Sequence, residues 1–133
     1  MKYQKVCFKY RLAEDYTATT KILDCEYEDQ YVKITKDGVI TGKKGFAWDG
    51  CSSIAIDDET NMVPGLLHDI KYYLMRIGAV PQSWRYVADK ELQDGCRQRG
   101  MGKFRAWYYL QGVDHFAAYA AKYGSEPKII EVK

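Results

Sequence analysis

The sequence predicts an α+β fold, a small N-terminal antiparallel β meander followed by a three-helix core. Three observations carry that expectation. Apolar and polar residues alternate with period two up to about Trp48, an irregular acidic stretch follows, and from Pro64 onward apolar residues recur at helical spacing. A chain of 133 residues can bury a core without disulfides or metal, so one domain is expected. Its parts are a meander over about 1–48, an acidic loop over 49–63, three helices over 64–123 and a tail over 124–133.

In the meander, Val6, Phe8 and Tyr10 alternate with Cys7, Lys9 and Arg11. Further on, the runs from Tyr31 to Thr35 and from Val39 to Thr41 flank Asp37-Gly38. Asp-Gly between alternating runs is a hairpin signal, and a type I′ turn there predicts two antiparallel strands within Tyr31 to Phe46. Asp49, Asp57, Asp58 and Glu59 then fall among Gly, Ser and Asn, which reads as a loop.

Pro64 suits a first helical turn, and Leu67, Ile70, Leu74 and Ile77 keep helical spacing until Gly78 and Pro81, which predicts a helix over about 64 to 77. Ser83 is the expected N-cap of a second helix running to about Arg99 and closed by Gly100. Gly102 precedes a third helix carrying Ala106, Tyr109, Val113, Phe116 and Ala120 on one face. In the tail, Ile129 to Val132 either adds an edge strand or stays loose.

Composition excludes some classes of function. No apolar run approaches the roughly 18 residues of a membrane span, so no transmembrane segment is expected. A net charge of +2 is too small to predict nucleic-acid binding. The densest basic cluster is Arg97, Arg99, Lys103 and Arg105, which fits phosphates, an anionic membrane or an ordinary solvated helix end. Cys7, Cys25, Cys51 and Cys96 have no CxxC spacing and read as reduced thiols. Met1 to Asp15 lacks the apolar centre and cleavage site of a signal peptide.

The best candidate site opens the first helix. His68 and Asp69 lie in its first turns, and the i, i+4 rule places Tyr72 on the face of His68. On the second helix Asp89 sits three residues before Leu92 and seven before Cys96, which puts a carboxylate on the apolar stripe. A buried, unpaired carboxylate costs several kcal/mol, on the order of a whole core side chain, so it needs an imidazole N–H or a phenol, and the short turn from Gly78 to Gln82 would bring His68 and Tyr72 opposite it. With one ring nitrogen donating to Asp89, the other is free to take a proton from water. Asp69, about 100° further round the helix, could join Asp49 and backbone carbonyls of the 49–51 loop in an all-oxygen site suited to calcium. A histidine at a helix start also serves as a packing or capping residue, and Asp49 as an Asx-turn acceptor. His115 falls off the third helix's apolar face, and Ser52-Ser53 lack the context of a serine nucleophile.

These residues resemble two families. GFAWDGCS from Gly45 to Ser52, PGLLHDIKY from Pro64 to Tyr72 and the pair Ala88-Asp89 are similar to a family of small uncharacterised phage and prophage proteins, over roughly Tyr10 to Ala118. That resemblance implies a host cytoplasmic or virion location, with phage structural proteins as partners. The second resemblance is to the catalytic core of prokaryotic-type secreted phospholipases A2, in which a Trp/Asp/Cys loop precedes an HDxxY helix and an antiparallel helix supplies an Asp. It implies a phospholipase A2-like three-helix core and hydrolysis of a phospholipid or other ester. In it His68 is the general base, Asp89 its orienting partner and Tyr72 a hydroxyl beside the pair, while Asp69, the Asp49 side chain and the Gly50 carbonyl hold calcium. The chain departs from that family at Gly65, where the partner of Cys51 would stand, at Tyr73-Leu74, where Arg-Asn is usual, and in its β region. A non-catalytic tail or virion accessory protein that retains the scaffold is the alternative expectation.

Overall fold

The structure, a computed structural model, describes residues 2–4, 10–48, 59–107 and 129–131. It is an α+β arrangement, with antiparallel strands preceding helices as the periodicity predicts. The strands are β1 (Lys2–Gln4), β2 (Tyr10–Arg11), β3 (Tyr16–Thr19), β4 (Tyr27–Glu28), β5 (Val32–Ile34), β6 (Val39–Gly42), β7 (Ala47–Trp48) and β8 (Ile129–Glu131). Helices α1 (Met62–Arg76) and α2 (Arg85–Gln98) follow the β region, and residues 103–107 are a helical segment, α3.

The largest sheet has the order β3-β6-β5-β4, all antiparallel. Strands β4, β5 and β6 form a meander, and β3 is added beside β6 by a longer connection. β2 pairs with β7, and the tail returns as β8 to pair with β1, the edge-strand option for that segment. Alternation decides which face is covered. Val32, Ile34 and Ile40 are fully buried while Lys33 between them is exposed, so one face of the sheet meets the core.

The hairpin turn differs from the type I′ expectation. Gly38 N–H donates to Thr35 O at 3.1 Å and Thr35 N–H to Val39 O at 2.9 Å, leaving a three-residue loop. Gly38 has φ +85°, whereas Asp37 is not among the positive-φ residues, and a type I′ turn needs both. The geometry is a type I turn closed by a glycine bulge. Thr20 explains the choice: its N–H donates to Gly38 O, and a Cβ on Gly38 would lie 2.5 Å from Thr20 O.

Helix α1 lies on the sheet through Ile70 and Tyr73. A Cβ at Gly42 would stand 2.8 Å from Ile70 Cδ1, and Phe46 meets the Tyr73 ring edge to face at 6.1 Å. Its other side faces α2, with Pro64 against Gly95, His68 and Tyr72 against Asp89, and Met75 near Gln82, an antiparallel register. Gly78 makes the reversal possible. At φ +80° it ends α1 in a Schellman motif, with Gly78 N–H to Met75 O and Ala79 N–H to Leu74 O, and Gly100 ends α2 in the same way.

The expected cap at Ser83 is not formed. Pro81 starts a 3-10 turn over Gln82–Trp84, so Ser83 lies inside that turn and α2 begins at Arg85 without a side-chain cap. Of the expected apolar faces, Ile70 and Leu74 on α1 and Leu92 and Cys96 on α2 are buried, Leu67 and Ile77 are half-buried, and of the third helix's face Ala106 is buried while Tyr109, Val113, Phe116 and Ala120 lie outside the described residues.

Candidate functional site

Asp89 is fully buried, at 0% exposure, on the α2 stripe that also carries Leu92 and Cys96. Such a position is tolerable for a carboxylate only with close donors, since an uncompensated buried charge costs roughly 3–5 kcal/mol. The donors come from the facing helix. His68 Nε2 lies 2.7 Å from Asp89 Oδ1, and the Tyr72 hydroxyl donates to the same oxygen. The two rings stack at a centroid distance of 4.1 Å and a tilt of 37°, as their i, i+4 spacing requires. Arg85, one turn before Asp89 on α2, brings Nη1 to 3.8 Å from Asp89 Oδ2.

Burial sets the protonation states. It pushes the imidazole of His68 below its ordinary value of 6.5 despite the hydrogen bond and charge of Asp89, and the charge of Lys71 pushes the same way as burial. The ring is therefore neutral at pH 7, and with a carboxylate at Nε2 its proton belongs there. Nδ1 is left as the basic nitrogen. Burial, then the hydrogen bond to Asp89, raise Tyr72 far above an ordinary phenol, so its hydroxyl stays a donor at all ordinary pH.

Asp69 falls on the Nδ1 side of the ring, its Oδ1 4.0 Å from Nδ1, closer than a simple rotation around the helix implies. About a third of its side chain is exposed. Hard carboxylate and carbonyl oxygens are the donors calcium prefers, and Asp69 is of that kind. The other two expected ligands, Asp49 and Gly50, lie outside the described residues, as do Ser52, Ser53 and His115. Among the described residues no group of three or more His, Cys, Asp and Glu gathers around a metal position.

Beside the dyad is a second buried ionic group that sequence reasoning missed. Lys71, 3% exposed, places Nζ 3.4 Å from Glu91 Oε1, which also accepts from the Thr20 hydroxyl at 2.6 Å. The Lys21 backbone N–H donates to Glu91 Oε2 at 3.3 Å. Burial pulls Lys71 below its ordinary value, against the opposing charge of Glu91. Its place three residues after His68 put it on the same helix face, and the four-residue step from Arg85 to Asp89 was an equally available signal. Both were hidden by the usual habit of Lys and Arg to stay in solvent.

No protein-family model, curated protein or solved structure matches this chain.

Proposed function

We propose that the chain is a phospholipase A2-like hydrolase of lipid or other ester acyl bonds, encoded by a phage or prophage and acting in the host cytoplasm or virion, with His68 as general base. The observation that carries this reading is the 2.7 Å contact of His68 Nε2 with a fully buried carboxylate, which leaves Nδ1 unprotonated on the side of a partly exposed acidic residue.

In this mechanism Nδ1 takes a proton from water as the water oxygen forms a bond to the ester carbonyl carbon. The imidazolium that results is stabilised by Asp89, which keeps its own charge, and Tyr72 holds the carboxylate in line. The tetrahedral species then breaks its bond to the alcohol oxygen, which receives the proton from Nδ1; the alcohol and the carboxylic acid leave, and the acid gives its proton to solvent. Calcium held by Asp69, Asp49 and the Gly50 carbonyl would polarise the ester carbonyl as a Lewis acid.

Titration calorimetry with calcium on the wild type and on Asp49→Asn and Asp69→Asn tests the metal part without a substrate. A saturable site lost in both variants is expected, and no heat at millimolar calcium contradicts it. Hydrolysis of phospholipid acyl esters, with and without chelator, tests the reaction. Hydrolysis unchanged in His68→Ala would remove the mechanism. The alternative, a non-catalytic tail or virion accessory protein, is favoured by Gly65 standing where the family's disulfide partner would be. It predicts the chain as a stoichiometric part of purified particles and no turnover.

A further inference from the structure

The end of α2 and the start of α3 form a surface that the dyad does not use. Phe104 and Trp107 are 78% and 54% exposed, and their ring centroids lie 6.2 Å apart. Met101 and Ala106, each 1% exposed, are the buried side of this segment, and the aromatic pair is its exposed side. Cations neighbour it in the sequence. From Gly95 to Trp107 the chain carries Arg97, Arg99, Lys103 and Arg105 and no Asp or Glu. Arg97, Arg99 and Lys103 are exposed, and the Arg97 guanidinium donates to Met101 O at 2.6 Å, tying the turn to the end of α2.

We infer that this surface docks the protein on an anionic lipid interface, with Phe104 and Trp107 entering the headgroup and acyl boundary and Arg99 and Lys103 meeting anionic headgroups. Two features select lipid over nucleic acid. Phe104 has no polar atom to satisfy at a water-filled groove, and the two rings contact each other at 34° instead of opening as separate platforms for bases. An exposed aromatic pair with cations beside it in the sequence, in a chain of small net charge, is the pattern of an interfacial anchor. The link to lipid turnover rests on the hydrolase reading, whereas the docking itself does not.

The test uses the full-length wild type and vesicles of ether-linked phospholipid, which carry no acyl ester to hydrolyse. Co-sedimentation with vesicles containing phosphatidylglycerol is expected at low salt, with little binding to phosphatidylcholine alone. The double variant Phe104→Ser/Trp107→Ser should lose roughly tenfold or more in partitioning. Arg99→Gln and Lys103→Gln should each lose about fivefold. Emission of Trp107 should shift to the blue on binding, a signal absent in Trp107→Ser. Binding that is unchanged in the double variant, no binding to anionic vesicles, or capture of duplex DNA by the same residues with vesicles left free would each overturn the proposal. Docking with no hydrolysis of ester lipid would remove the enzyme reading and keep the surface. Hydrolysis of a soluble short-chain ester without docking would do the reverse.

Discussion

Two neighbouring tyrosines on α1 each donate to an aspartate, one in the turn between β4 and β5 and one on α2, and the two clusters differ in their other partners. Tyr73 donates to Asp29 Oδ2 at 2.7 Å, and Tyr27 to the same oxygen at 2.9 Å, while Asp29 Oδ1 accepts the backbone N–H groups of Tyr31 and Val32 at 2.8 and 2.9 Å. Tyr72 donates to Asp89, whose other close partners are the His68 ring and the Arg85 guanidinium. At Asp29 the partners are backbone amides and phenol hydroxyls, and the cluster pins the start of β5 to α1. At Asp89 the carboxylate holds a ring whose second nitrogen remains basic. The same pair of residue types is an anchor in one place and, in the proposed mechanism, a base-orienting group in the other.

The largest effect is expected at His68. His68→Ala should lower hydrolysis by about 10²–10⁴-fold, the usual worth of a positioned general base, while the β region and the Asp29 cluster stay intact by circular dichroism. A substitution at Asp29 should leave turnover per folded molecule near the wild-type value.

Asp89 comes next, because it combines both roles. Asp89→Ala leaves a buried imidazole N–H and a phenol without their acceptor and should cost about 3 kcal/mol in chemical denaturation. Asp89→Asn keeps an acceptor oxygen and should unfold later than the alanine variant, yet still lose most of the activity because an amide cannot stabilise the imidazolium.

Asp29→Asn should have a smaller effect, about 1–2 kcal/mol, read from denaturation midpoints. Its pH dependence has a definite sign. Burial raises Asp29, but hydrogen bonds from Tyr73, the Tyr31 and Val32 amides and Tyr27 outweigh it and hold the folded carboxyl below its ordinary 3.8. The stability it adds is therefore present above 3.8 and is lost as pH falls through the lower folded value. Wild type should lose stability in that acid range more steeply than Asp29→Asn.

The smallest effect is expected at Lys71. Because its charge helps to depress His68, replacing the pair by Lys71→Met/Glu91→Gln should move the acid limb of the pH–rate profile to higher pH. The wild-type limb should lie below 6.5. A limb that stays in place would mean that the pair only packs.

Local chemistry made much of the site legible. Asp89 on an apolar stripe demanded donors, and the Gly78 stop left a turn short enough to supply them from α1. The antiparallel β character and the helix ends at Gly78 and Gly100 followed from equally local signals. Much of what stayed hidden depended on distant neighbours. The Asp37-Gly38 turn takes its form from Thr20, Asp29 meets Tyr73 across 44 positions, and Glu91 meets Thr20 across 71. Ser83 failed as a cap because Pro81 drew the chain into a 3-10 turn first. No residue pattern within one helix or strand encodes those contacts.

The neutral Nε2–H form of His68 is the point on which the mechanism turns, and nitrogen-15 NMR of the imidazole reads it directly. The chain has two histidines, so His115→Gln assigns the signals. At pH 7 one protonated nitrogen is expected at the Nε2 position, coupled to a strongly hydrogen-bonded proton that is lost in Asp89→Ala, with Nδ1 unprotonated. A proton on Nδ1, or an imidazolium at that pH, would contradict the general-base assignment.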